Sequence, residues 1–172
     1  RQRQMCIRDR GMSNLLSIAS LNPKITLKKG TVAPFIEMAS IAVNQKFVKH
    51  IQLKKFSSGS KFQNGDILFA RITPCLENGK TAKISGLMPD VVAHGSTEFI
   101  VIRAKRFEDR DFLYYLARLS EFRDFAKSRM RGTTGRQRVE ANDLAEFEFD
   151  FPDENSRKKI GNFLSIFDDK IH

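Results

Sequence analysis

The pattern of apolar and polar positions along the chain changes period several times. Residues 67–72, Ile-Leu-Phe-Ala-Arg-Ile, form an apolar run launched by Asn64-Gly65-Asp66 and stopped by Thr73-Pro74. A short run of that kind predicts a strand buried on both faces, entered through a tight turn. Residues 81–84 and 96–103 predict two further strands, the second reading Thr97-Glu98-Phe99-Ile100-Val101-Ile102. Short strands are also predicted at 24–29 and 33–39, around Lys29-Gly30, and 46–56 alternates as a longer extended segment. Ser57-Ser58-Gly59-Ser60 and Glu77-Asn78-Gly79-Lys80 read as turns, and 13–19 as a short helical turn ended by Asn22-Pro23. At 109–127 the spacing becomes helical, with Phe112, Tyr115, Leu116, Leu119, Phe122 and Ala126 on one face. Asp109 and Asp111 suit the start of that helix, and Lys127 and Arg129 its end. A helical turn is expected at 142–144. Phe147, Phe149 and Phe151 then alternate on one face of a strand, as core packing, up to Pro152. From 153 a second helix carries Ile160, Phe163, Leu164, Phe167 and Ile171 on one face, a stripe that needs a partner helix.

The expected fold is α+β (mixed α/β): a twisted, largely antiparallel sheet with flanking helices and a projecting, coiled-coil-type C-terminal helix. Residues 1–11 have neither period and are read as a non-native leader, with Met12 a plausible true start. Residues 12–152 form one domain, and 153–172 begin the projecting helix.

Composition narrows the class. Of 172 residues, 41% are apolar, including 15 Phe and no Trp, and 29% are charged, so a folded core is expected rather than disorder. The net charge is +10; the first ten residues hold four arginines and one aspartate, so +7 remains without them, still favouring a polyanion. Two cysteines, Cys6 and Cys75, build neither a disulfide framework nor a metal cluster, which fits a reducing cytoplasm. No apolar run reaches the length of about 20 residues that a membrane helix needs.

Charge concentrates at 118–138, where Arg118, Arg123, Lys127, Arg129, Arg131, Arg136 and Arg138 stand against Glu121 and Asp124. Within it, Gly132-Thr133-Thr134-Gly135 allows close approach of backbone and hydroxyls to a ligand. Gln137 separates Arg136 from Arg138, so in an extended chain both guanidinium groups share a face. Two readings stand on charge alone: a polyanion-binding face, or a solvated basic helix followed by a turn in which Arg136 or Arg138 pairs with Glu140, Glu146 or Asp150. For Arg71, at the end of the buried strand, a structural ion pair and a contact with that polyanion compete.

Three blocks in order, NGDILFARITPCLENGK (64–80), GSTEFIVI (95–102) and MRGTTGRQRV (130–139) leading through Phe147–Pro152 into the last helix, are similar to the target-recognition domain of type I restriction–modification specificity subunits. The resemblance covers roughly residues 24–172. It implies a non-catalytic module that reads one half of a split double-stranded DNA target, with no cofactor or metal of its own. Methyltransferase (modification) subunits and a restriction subunit would assemble on it as separate chains. Subunits of that family carry two recognition domains and two long helices. This chain matches one domain and the start of one helix, so it is expected to be a fragment or a half-length subunit, its second domain supplied in cis or by a second copy. The DNA-facing residues expected from the resemblance and the charge pattern are Arg71, Glu77, Asn78, Lys80, Arg131, Thr133, Thr134, Arg136, Gln137 and Arg138.

Other chemistries fit less well. Pro89-Asp90 with Glu98-Phe99-Ile100 imitates a metal-nuclease motif, but Ile100 stands where a lysine would polarise the water. No glycine-rich nucleotide loop or Asn/Asp-Pro-Pro-aromatic motif of a methyltransferase occurs. His94 and Ser96 have no acidic orienter at a meaningful spacing and are read as loop residues, and Cys75 as structural. The competing class is a basic protein-interaction or RNA-binding module; exposed sheet aromatics would favour RNA stacking, whereas the aromatics here sit at core spacings.

Overall fold

The computed structural model describes residues 11–171, without the side chains of Asp169 and Ile171. All but the last residue of the expected leader therefore lies outside the described residues. The strands are β1 (Ser13–Asn14), β2 (Ala19–Leu21), β3 (Val32–Ile36), β4 (Gln52–Lys55), β5 (Ser60–Phe62), β6 (Ile67–Ala70), β7 (Thr81–Lys83), β8 (Ala93–Gly95), β9 (Phe99–Ala104) and β10 (Glu148–Phe149). The helices are α1 (Arg110–Arg118), α2 (Ser120–Ser128), α3 (Ala141–Ala145) and α4 (Glu154–Ile171).

One four-stranded sheet, in the order β2-β9-β6-β7, is antiparallel throughout; a second, β4-β3-β8-β5, contains one parallel pairing, β3 with β8; β1 and β10 pair separately. The mixed α+β class with largely antiparallel sheets is as expected from the sequence.

The central strands explain the layering. In β6, Ile67 and Phe69 face the helices while Leu68 faces the second sheet; in β9, Ile100 and Ile102 face the helices while Phe99 and Val101 face the second sheet. Both faces are buried, so an uninterrupted apolar run is what these strands require. The helix-side core adds Leu113, Leu116, Phe122, Leu144 and Phe147, and the inter-sheet core adds Ile36, Ile41, Phe62 and Ile84.

The structure corrects several readings. The helix expected over 109–127 is two helices, broken at Leu119, whose ψ is 141°. The break turns α2 so that Phe122 meets Phe69 and Phe147, at centroid distances of 5.4 and 4.9 Å. Residues 24–29 form no strand, and of 46–56 only Gln52–Lys55 does. In the rest of 46–56, Lys46 enters the seat of α4, Val48 packs on the inter-sheet core, and Phe47 makes only an isolated bridge to Lys83. Ser60 opens β5 instead of closing a flexible turn, and β8 is an additional strand. The 13–19 segment forms a 3-10 turn over Leu15–Ser17 between β1 and β2.

Helix α4 lies against α1. Arg157 reaches back to Asp109 just before α1, and a Cβ on Gly161 would stand 2.7 Å from the Phe112 backbone nitrogen. Further along, the Lys46 ammonium donates to Ser165 Oγ at 2.7 Å and pairs with Asp111 at 2.6 Å, while Tyr115 donates to Asp168 at 2.6 Å.

Candidate nucleic-acid interface

Two segments separated by some fifty residues meet on one surface. The first is the connection from β6 to β7. Past Ala70 the chain leaves the sheet, turns at a cis Thr73-Pro74 bond, and makes helix-like bonds from Leu76 N to Ile72 O and Asn78 N to Pro74 O. Buried Leu76 pins the loop, and Gly79, at φ +74°, ends it before Ala70 N donates to Lys80 O at 3.1 Å. Only the outer residues of this loop can meet a ligand.

The second segment is a tight hairpin. Arg131 and Arg138 exchange both backbone bonds at 2.9 Å, and Arg136 N closes the tip onto Thr133 O. Gly132 has φ +127° and a Cβ there would stand 2.9 Å from Arg136 O, so the tip requires glycine. The hairpin is laid on the first loop: Thr73 N donates to Gln137 O at 3.1 Å and Val139 N to Arg71 O at 3.0 Å, with Ile72 bridging Arg138 and Val139 fully buried. These bonds bring the two blocks together.

The expected residues are placed as follows. Arg131, Thr133, Thr134 and Arg136 are exposed at the hairpin, Asn78 is exposed on the loop, and Arg71, Glu77, Lys80, Gln137 and Arg138 are half-buried. Gln137 contributes its backbone carbonyl to the joint between the loops, and Glu77 accepts a bond from Thr73 Oγ1 at 2.9 Å. The Lys80 ammonium donates to Met38 O at 3.0 Å.

Three arginines hold acids. Arg71 pairs with Glu140, Arg131 with Asp143 at 2.9 Å, and Arg138 with Glu98 through a fork of bonds at 2.8–3.1 Å. The bond to Glu98 raises the pKa of Arg138 above its ordinary value, with Glu140 adding a smaller push in the same direction. The acid expected for the structural alternative was Glu140, Glu146 or Asp150; Arg138 instead takes Glu98. Arg136, despite sharing the alternation of Arg138, has no ion-pair partner among the described residues.

Two participants are absent from the expected DNA-facing residues, although Arg123 lies in the basic run 118–138 and Glu98 in the block 95–102. Glu98 resembled part of a nuclease motif, and only the fold turns it toward Arg138. Arg123 on α2 crosses the loop, its Nη1 2.5 Å from where a Gly79 Cβ would sit. The combined surface presents exposed hydroxyls, glycine backbone and guanidinium groups, donors suited to phosphate and base-edge acceptors.

The competing sites take structural roles. His94 is buried between the rings of Phe35 and Phe56 and its Nε2 lies 3.1 Å from Lys54 O, while Ser96 Oγ accepts from Glu98 N at 3.1 Å, so they form no dyad. The described residues contain no grouping of His, Cys, Asp and Glu able to hold a metal. No helix among them is long and apolar enough to cross a membrane. Along α4, Phe163 and Phe167 are 60% and 51% exposed, Ile160 is exposed, Leu164 is half-buried, and the Ile171 side chain lies outside the described residues.

A family model described as Type I restriction modification DNA specificity domain matches residues 14–172. The chain is 35% identical over 135 residues to the Type I restriction enzyme EcoAI specificity subunit of Escherichia coli, covering 74% of this chain and 22% of that protein. It is 28% identical over 159 residues to the EcoEI specificity subunit of the same organism, covering 88% and 27% respectively. The chain thus spans about a quarter of the length of these relatives. In fold it is similar to the crystal structure of the HsdS subunit from Thermoanaerobacter tengcongensis, with TM-score 0.66, 21% identity, and coverage of 83% of this chain and 37% of that one. A chain from a structural study of complex assembly and conformational transition of the type I R-M system gives TM-score 0.68 at 23% identity, covering 91% and 42%.

Proposed function

The chain belongs to the type I restriction modification DNA specificity domain family, and from that premise we propose that it is a half-site reader: a non-catalytic unit that binds double-stranded DNA through the joined loops 71–80 and 131–138. The observation that carries this reading is the convergence of two basic, glycine-bearing loops, distant in sequence, onto one exposed surface. In this reading Thr133, Thr134, Arg131 and Arg136, with the backbone of Gly132 and Gly135, grip phosphates. Lys80, Asn78 and Arg71 flank them, with Glu77 holding the loop and Gln137 the joint. Residues 12–152 form the recognition body, and α4 spaces this half-site from a second one, supplied in cis or by another copy. Modification and restriction subunits supply the chemistry, in the cytoplasm.

The test is binding by the chain assembled with its modification subunits, on cognate and scrambled duplexes across a salt series. A phosphate-binding arginine is worth about 0.9 in the slope of log affinity against log salt. Arg136→Ala is expected to weaken both duplexes alike and to flatten that slope by about this amount. A folded Arg136→Ala protein with unchanged affinity and slope on both duplexes, together with unchanged Thr133→Ala and Arg131→Ala proteins, sinks the assignment.

A further inference from the structure

Resting on that reading of the surface, we infer that Glu98 is a positioning residue that converts Arg138 from a general phosphate binder into a reader of a guanine edge. Arg138 Nε donates toward both Glu98 oxygens, at 3.1 and 2.9 Å, and Nη2 donates to Oε1 at 2.8 Å. These bonds occupy the side edge of the guanidinium, formed by Nε and Nη2. The group has five N–H donors in one plane. Its end edge, formed by Nη1 and the second hydrogen of Nη2, keeps its donors, and the side chain is 41% exposed. Two parallel donors on such an edge match O6 and N7 of guanine in the major groove.

Both ends of the pair are fixed by backbone. Glu98 O accepts from Arg71 N at 3.0 Å, and Glu98 N donates to Ser96 Oγ at 3.1 Å. Arg138 exchanges both backbone bonds with Arg131 and bridges Ile72. A side chain held this way has lost its rotamer freedom before binding, which favours a directional contact over a diffuse one. Its charge is also partly offset by Glu98, so its pull on any passing phosphate is weaker. The neighbouring arginines differ: Arg71 and Arg131 each meet their acid through Nη2 alone, and Arg136 meets none among the described residues. Arg138 is therefore the one member of the two loops, among the described residues, built as a fork with its end edge free.

The experiment uses the chain assembled with its modification subunits and a set of duplexes, each altered at one base pair of the half-site. Arg138→Lys keeps the charge but loses the fork, and is expected to lose about 5- to 150-fold discrimination at one G·C position, the range of a bidentate contact. Glu98→Gln is expected to lose part of that discrimination at the same position. It should bind scrambled duplex no more weakly than wild type, with a salt slope steeper by up to about 0.9, because the freed arginine can meet a phosphate. Uniform weakening on every duplex by Glu98→Gln would assign Glu98 a folding role only and overturn the inference. So would unchanged base preference in Arg138→Lys. In either of those cases an intact Arg136→Ala effect leaves the DNA-binding reading standing; unchanged Arg136→Ala, Thr133→Ala and Arg131→Ala proteins together remove that reading as well.

Discussion

Arg157, in the first turn of α4, and Asp109, immediately before α1, form a two-pronged ion pair with both bonds at 2.9 Å and side chains only 8% and 1% exposed. The Arg157 guanidinium also donates to Pro152 O at 2.8 Å. The pair fixes the first turn of α4 against the start of α1, along which the rest of the helix then lies.

Removing one member would leave the other charge buried and unpaired. Asp109→Ala or Arg157→Ala is expected to cost about 3–5 kcal/mol. Urea unfolding of the variants measures this; a loss below 1 kcal/mol would mean that the pair does not anchor the helix.

Acid should loosen the same seat further along. Burial pushes the Asp111 carboxyl up, but its bonds to Lys46 and Lys83 outweigh burial and hold its pKa below the ordinary value. A depressed folded pKa contributes stability that is fully present above the unfolded value, about 3.9, and is lost as pH falls through the folded value. Wild-type stability should therefore decline below pH about 4. Asp111→Asn should be less stable at neutral pH and flatter across that window. Parallel pH profiles for the two proteins would remove Asp111 as the cause.

Gly161 gives a test of opposite sign. At an exposed helix position, Gly→Ala stabilises by about 1 kcal/mol. Here the added Cβ would stand 2.7 Å from Phe112 N and 3.1 Å from Asp111 Cβ, with backbone on the other side of the clash. Gly161→Ala is expected to lower the melting temperature by prying α4 from α1; a raised one would show that the helices part without cost.

The apolar face of α4 should matter for association and not for the fold of a single chain. Phe163 and Phe167 meet edge to face, with ring centroids 4.8 Å apart, while remaining exposed. Phe163→Asp with Phe167→Asp should change chain stability by no more than about 0.5 kcal/mol per site. Sedimentation should show loss of self-association or of partner binding. Unaltered assembly in the double variant would exclude this face as the contact.

The sequence by itself determined whatever rests on local period and turn chemistry. The doubly buried strand at 67–70, the strand at 99–102, the hairpin glycines and the helix from 154 were legible, because each is encoded in neighbouring residues. It also showed the two loop blocks and the apolar stripe of α4. Tertiary structure alone decided the break at Leu119, where no glycine or proline warned of it: seating Phe122 on Phe69 and Phe147 outweighs continuing a straight helix. It also decided that Lys46, in a segment that alternates like a strand, would be buried beneath α4 beside Asp111 and Ser165. Above all it chose Glu98 for Arg138. The two lie 40 residues apart, and charge partners across such a separation are selected by sheet register and loop closure, which no local pattern carries.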